Sequence, residues 1–233
     1  MEIKGFIPTS LVDWDGKVSA VIFLPGCSFK CSFCSNKELV LFPEKLKTVD
    51  FEEIVQKIEA SRQFIDGVVI TGGEPTIHES LPQLCQKLRE MGFKIKLDTN
   101  GSNPKMLERL FQQKLIDYVA MDIKTSFEKY KEIVNCSVDL ENIKKSIELI
   151  GKLPDYEFRT TCVPKIVTQE DLLKIAEYLK SIGANKKFFL QQFRNDECLS
   201  EKFEAIKPYS KEEMQGFYEL IKNSFEKCGL RNI

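Results

Sequence analysis

Apolar positions recur along this chain with two periods. Short runs of β-branched and aromatic residues read as buried strands, and stretches with apolar residues at i, i+3 and i+4 read as helices. The run Val18-Ser19-Ala20-Val21-Ile22-Phe23-Leu24 is a strand stopped by Pro25-Gly26. Residues 1–17 before it read as an irregular or strand-like lead-in, with a turn at Asp13-Trp14-Asp15-Gly16. Asp50, with Glu53 three residues on, spells a capping box and opens a helix whose Ile54 and Ile58 share a face. Further strands at 66–71, 93–97, 116–121, 156–163 and 187–193 alternate with helices at 79–91, 104–113, 139–150, 168–182 and 210–228. Six strands alternating with helices predict an α/β fold with parallel strands and right-handed crossovers. A full eight-unit barrel needs about 250 residues. The expectation is therefore a partial (β/α)6 barrel, with a doubly wound sheet as the alternative. No composition break or linker interrupts the pattern, so residues 1–233 read as one domain.

The places where the pattern stops carry the chemistry. Cys27, Cys31 and Cys34 stand at C-x3-C-x2-C on the loop leaving the first long strand. Three thiolates this close can converge on one metal centre. A [4Fe-4S] cluster needs four ligands, so three from the protein leave one iron open. A structural zinc site wants four protein ligands, but no second Cys pair follows and the only histidine is His78. A disulfide framework suits short secreted chains, and chance clustering is the remaining alternative. Gly72-Gly73-Glu74-Pro75 ends the next strand. Two glycines let backbone come close to a ligand, and they equally suit a plain strand-to-helix turn. No Gly-Lys-Ser/Thr follows, so this is not a phosphate loop. Asp98-Thr99-Asn100-Gly101 and Asp122-Ile123-Lys124 end two adjacent strands, where acid and base could bind a ligand or pair with each other. Arg159 lies on the fifth predicted strand and Gln191-Gln192-Phe193 ends the sixth. In parallel α/β barrels the C-terminal ends of the strands form the active-site face, which places cluster and cofactor there.

Charge and composition narrow the partners. Lys and Arg number 34 against 35 Asp and Glu, and no basic patch dominates, so nucleic acid is not an expected partner. No apolar run reaches the ~18 residues needed to span a bilayer, so no membrane partner is expected. Met1-Glu2-Ile3-Lys4-Gly5-Phe6 lacks the apolar stretch and cleavage site of a signal peptide. Free cysteines then fit a reducing cytoplasm. Cys85, Cys136, Cys162, Cys198 and Cys228 are scattered and read as small core residues, and Trp14 as a packing residue.

C-x3-C-x-aromatic-C, with Phe33 in the aromatic place, resembles the cluster loop of radical S-adenosylmethionine enzymes. The resemblance runs through Thr71-Gly72-Gly73-Glu74-Pro75, Leu97-Asp98-Thr99-Asn100-Gly101 and Met121-Asp122-Ile123-Lys124, over most of the chain. Ser10-Leu11-Val12-Asp13 with Gly16-Lys17 is similar to one branch, the activating proteins of anaerobic ribonucleotide reductase, which belong to the glycyl-radical enzyme activating enzymes. Asp15 stands where that branch usually has Pro.

The resemblance implies a [4Fe-4S] cluster on Cys27, Cys31 and Cys34, and S-adenosylmethionine on the open iron. It implies that Gly72, Gly73 and Glu74 hold the amino end of the methionine moiety, with Lys124 facing its carboxylate. Phe33, Cys34, Ser35 and Asn100 join the cofactor set. Asp98, Thr99 and Met121-Asp122 are implied as holders of a monovalent cation. Arg159 either lines the cofactor pocket or is a paired interior arginine. Gln192 stands where some activating enzymes carry a histidine against the adenosine. The implied reaction is reductive cleavage to a 5′-deoxyadenosyl radical, which takes a hydrogen atom from a glycine of a partner enzyme; no side-chain base is needed. The implied partners are a glycyl-radical enzyme, of the anaerobic ribonucleotide reductase kind, and a flavodoxin- or ferredoxin-type electron donor. Two alternatives stand beside this: a radical enzyme acting on a small molecule, such as a 7-carboxy-7-deazaguanine synthase, and a non-catalytic iron–sulfur or zinc protein.

Overall fold

A computed structural model describes residues 1–233. The strands are β1 Gly5–Ser10, β2 Ser19–Leu24, β3 Gly67–Gly72, β4 Lys94–Thr99, β5 Tyr118–Asp122, β6 Tyr156–Cys162, β7 Lys187–Gln192 and β8 Lys227–Arg231. The helices are α1 Lys37–Leu41, α2 Phe51–Ala60, α3 Leu81–Glu90, α4 Pro104–Gln112, α5 Tyr130–Val134, α6 Leu140–Gly151, α7 Gln169–Ser181, α8 Glu201–Glu204 and α9 Lys211–Ile221. Strands follow one another in the sheet in chain order. The α/β class expected from the alternation is the one observed. The chain divides into two compact units, one of Met1–Ser28, Asn36–Thr99 and Lys105–Val119, the other of Phe29–Ser35, Asn100–Pro104 and Ala120–Ile233. The units interleave in sequence, so no linker marks them.

In the first unit β2 and β3 pair in parallel and in step, from Ser19 opposite Gly67 to Leu24 opposite Gly72. Ala20, Val21, Ile22, Val68, Val69 and Ile70 are fully buried. Runs buried on both faces are what a parallel sheet covered by helices requires. The lead-in is a true strand: β1 runs antiparallel to β2, with Gly5 opposite Phe23. Asp50 caps α2, but through the Glu52 N–H (3.0 Å). The predicted reciprocal bond from Glu53 does not form, because Glu53 pairs with Lys57 one turn on. Trp14 is buried against Tyr118, its packing role as expected.

In the second unit β6, β7 and β8 are parallel, aligning Phe158, Phe188 and Cys228. The helix predicted to reach Cys228 ends at Ile221, and residues 227–231 form an eighth strand. Phe225 stacks on Phe188 with ring centres 4.7 Å apart, turning the chain back to the sheet. Gly229 then lets the Phe189 ring lie against the backbone, where a Cβ would come within 2.9 Å of it. Cys85, Cys162 and Cys198 are buried as expected, whereas Cys136 and Cys228 are half-buried.

Candidate functional site

The first unit fixes the start of the cysteine loop with backbone bonds. Where β2 ends, the Leu24 carbonyl accepts from the Gly73 N–H (2.9 Å) and the Gly26 carbonyl from the Glu74 N–H (2.8 Å). The Gly26 N–H donates to Leu39 (2.8 Å). The Asn36 amide holds the Gly72 carbonyl (2.7 Å), and His78 Nε2–H donates to the Pro25 carbonyl (2.8 Å). The glycine pair is explained by this contact. A Cβ on Gly73 would lie 1.8 Å from the Gly26 oxygen, and one on Gly72, at φ +120°, 2.3 Å from the Leu24 oxygen. The side left bare by each glycine is filled by the cysteine loop's own backbone.

Glu74 follows, completely buried. One carboxylate oxygen accepts from the Thr76 N–H (3.1 Å), the Thr76 hydroxyl (2.5 Å) and the Thr99 hydroxyl (2.7 Å). A buried carboxylate is tolerated only with such donors. Here they tie the end of β3 to the end of β4. Asp98 sits nearby on β4, 3.1 Å from the Lys96 ammonium, and accepts from Thr71 (3.3 Å). Lys96, itself buried, also donates to the Asp13 carbonyl, and Ser10 donates to the Asp13 carboxylate (2.5 Å).

The second unit holds Cys31 and Cys34. The Cys34 N–H closes a turn on the Cys31 carbonyl (3.0 Å). Lys30 N–H donates to Val134 (2.9 Å), Leu199 N–H to the Cys34 carbonyl (2.9 Å), and Ser200 N–H to Ser32 (2.9 Å). Phe29 meets Tyr130 edge-on and Phe33 packs against Phe203, so segments after β5 and β7 grip the turn. Cys31 is buried, and burial pushes its thiol up to about 11 although the Lys124 charge pulls it down. Lys124 Nζ lies 3.0 Å from Asp122 Oδ2, and Arg159 Nε 2.9 Å from Asp122 Oδ1. Burial opposes both charges. Arg159 and Lys124 nevertheless hold the Asp122 carboxyl well below its usual range, and Asp122 holds Lys124 above its own. Asp122 thus pairs with both Lys124 and Arg159. The Gln192 amide donates to the Tyr209 carbonyl (2.6 Å) and accepts from the Phe193 N–H (3.1 Å). The Asn100 side chain accepts from the Ser102 N–H (2.9 Å), shaping the turn after β4.

Residues 21–179 match the sequence profile of the Radical SAM superfamily. The chain belongs to the radical SAM superfamily. Over 237 aligned residues this radical SAM protein is 37% identical to a Methanocaldococcus jannaschii protein named as a glycyl-radical enzyme activating enzyme, covering 99% of this chain and 96% of the relative. Streptococcus suis SuiB bound to S-adenosylmethionine shares the fold, with TM-score 0.64 and 16% identity over 91% of this chain and 52% of SuiB. So does a domain of pyruvate-formate lyase-activating enzyme from Bacteroides vulgatus, with TM-score 0.58 and 19% identity over 70% of this chain and 98% of that domain.

The cofactors of the radical SAM superfamily are a [4Fe-4S] cluster and S-adenosylmethionine. The chain's donors suit the first. Cys27, Cys31 and Cys34 are unbridged thiols, the soft ligands iron–sulfur clusters take. No group of three or more His, Cys, Asp or Glu side chains is closed around a single point, so the fit rests on donor chemistry and spacing. The Lys124 ammonium suits a carboxylate ligand. Asn36 and His78 hold the backbone around the cysteine loop, and no local sequence pattern marks them for this role. His78 was visible as the one histidine, but its partner, the Pro25 carbonyl, lies 53 residues away. No helix is long and apolar enough to cross a membrane.

Proposed function

We propose that the protein activates a glycyl-radical enzyme, of the anaerobic ribonucleotide reductase kind. The near-complete alignment with a relative named as a glycyl-radical enzyme activating enzyme carries the first part of this reading, and the Ser10-Leu11-Val12-Asp13 opening with Gly16-Lys17 supports the reductase kind. That alignment takes in the Ser10-Leu11-Val12-Asp13 segment and β8 as well as the superfamily core.

In this reading Cys27, Cys31 and Cys34 hold three irons of the cluster, with Phe33 and Ser35 beside it. When bound, the reduced cluster and S-adenosylmethionine supply a 5′-deoxyadenosyl radical that takes one hydrogen atom from a glycine of the partner. The chain's own residues bind and orient. The backbone of Gly72 and Gly73 receives the amino end of the methionine moiety, and the Lys124 ammonium its carboxylate. Glu74 acts here as a positioning residue, since its carboxylate ties Thr76 to Thr99. Gln192 shapes the loop after β7 through the Tyr209 carbonyl. The electron comes from a flavodoxin- or ferredoxin-type donor.

The test is electron paramagnetic resonance on reduced protein mixed with S-adenosylmethionine and an anaerobic ribonucleotide reductase from the same source. A glycyl doublet that disappears when the reductase glycine becomes alanine is the expected result. No radical with any co-resident glycyl-radical enzyme, together with turnover of a small molecule, overturns the proposal in favour of a metabolite-modifying radical enzyme.

A further inference from the structure

The Lys124–Asp122–Arg159 group does not end at Arg159. Glu157 lies two residues earlier on β6, so it shares a face with Arg159. It is buried, and one of its oxygens is 3.8 Å from Arg159. Arg231 on β8 grips it with both terminal guanidinium nitrogens, at 2.6 and 2.9 Å. The Arg231 guanidinium also lies 3.8 Å over the Phe189 ring on β7, which keeps its plane fixed. The side chains thus alternate in sign, Arg231, Glu157, Arg159, Asp122, Lys124, with three cations and two carboxylates.

We infer that Glu157 and Arg231 are positioning residues that set how firmly Asp122 holds Lys124. The inference rests on the reading above that Lys124 meets the cofactor carboxylate. Its logic is competition along a row of charges. Arg159 divides its attraction between Glu157 and Asp122. With Arg231 in place, Glu157 is satisfied by a bidentate partner and leaves Arg159 to Asp122. Asp122 then has a second cation and holds Lys124 less tightly, so the ammonium is available to a ligand carboxylate. Without Arg231, Glu157 draws Arg159 toward itself and Asp122 falls back on Lys124. Without the Glu157 charge, Arg159 turns wholly to Asp122 and Lys124 is released further. The row also loses one negative charge, which favours an anionic ligand. The two substitutions therefore act in opposite directions, which a merely structural ion pair does not do.

The experiment measures S-adenosylmethionine affinity by calorimetry on cluster-loaded wild type, R231M, R231K, E157Q and K124M, with melting temperature and iron content alongside. R231M is expected to weaken binding about five- to tenfold, the size of a coupling within one charge network. R231K recovers much of that loss, since it keeps the charge and loses only the bidentate geometry. E157Q binds tighter than wild type, although both R231M and E157Q lower the melting temperature. Equal weakening by R231M and E157Q, or an unchanged R231M beside a weakened K124M, overturns the inference. An unchanged K124M overturns instead the assignment of Lys124 to the cofactor carboxylate. Should R231M fail to load its cluster, the R231K and E157Q affinities carry the test: a weakened E157Q still contradicts it.

Discussion

The turn after β3 and the turn after β5 both carry motif residues, yet they are built from different materials. The first is backbone against backbone, with Gly73 and Glu74 bonded to the cysteine loop and no room for a single methyl group. The second is side-chain charge, with Asp122 between two cations. The contrast teaches that motif residues need not share a job. A glycine pair fixed by contact has one geometry and fails all at once when filled. In a row of alternating charges each member is coupled to its neighbours, so the loss of one shifts the others by degrees.

The sharpest way to break this contrast is to add one methyl group. Gly73→Ala puts a Cβ into the Gly26 carbonyl, which is backbone and cannot swing aside. It should cost at least ~3 kcal/mol and lose the cluster. Thermal melting and iron analysis check both, and a stable, iron-replete variant refutes the backbone account. Next comes Glu74→Ala, which takes one acceptor from the two threonine hydroxyls and the Thr76 N–H. Hydrogen bonds to a buried charge suggest a loss of about 3 kcal/mol. Glu74→Gln keeps an acceptor and should lose less. If Glu74→Ala instead weakens cofactor binding with an unchanged melting temperature, its carboxylate belongs to the ligand.

How much of this was legible in the sequence differs between the two turns for the same reason. The cysteine triplet and Gly72-Gly73 are local patterns, visible as spacing. The reason for the glycines was not visible, since it lies in Leu24 and Gly26, far along the chain but adjacent in the sheet register. The charge row was half visible: Asp122 and Lys124 announce themselves, while Glu157 and Arg231 are 74 residues apart and look like ordinary surface charges. β8 was hidden because Lys227-Cys228-Gly229-Leu230-Arg231 is short, mixed and glycine-containing, and continues an amphipathic helix without a proline to stop it.

The charge turn makes a pH prediction. The Asp122 carboxyl is depressed from its ordinary 3.8, so its contribution to stability is present above that value and is lost as pH falls through the lower, folded-state value. Lys124 is raised from 10.5, so its contribution is complete below that value and is lost only in strong alkali. The melting-temperature gap between wild type and Asp122→Asn should therefore be constant from about pH 5 to 9 and shrink below about pH 4. A gap that varies through neutrality contradicts the pairing. The smallest effect belongs to His78→Ala, which removes one bond to the Pro25 carbonyl at the rim of the cysteine loop. About 1 kcal/mol of stability and a retained cluster are expected, read by thermal melting and iron content.

The account stands or falls on an iron left open by three cysteines. The direct measurement is electron paramagnetic resonance of the anaerobically reconstituted, reduced protein, recorded with and without S-adenosylmethionine. Wild type should show a reduced [4Fe-4S] signal that changes on adding S-adenosylmethionine, and Cys31→Ala should show neither signal nor response. A wild-type signal indifferent to S-adenosylmethionine, or a full signal in Cys31→Ala, contradicts the account.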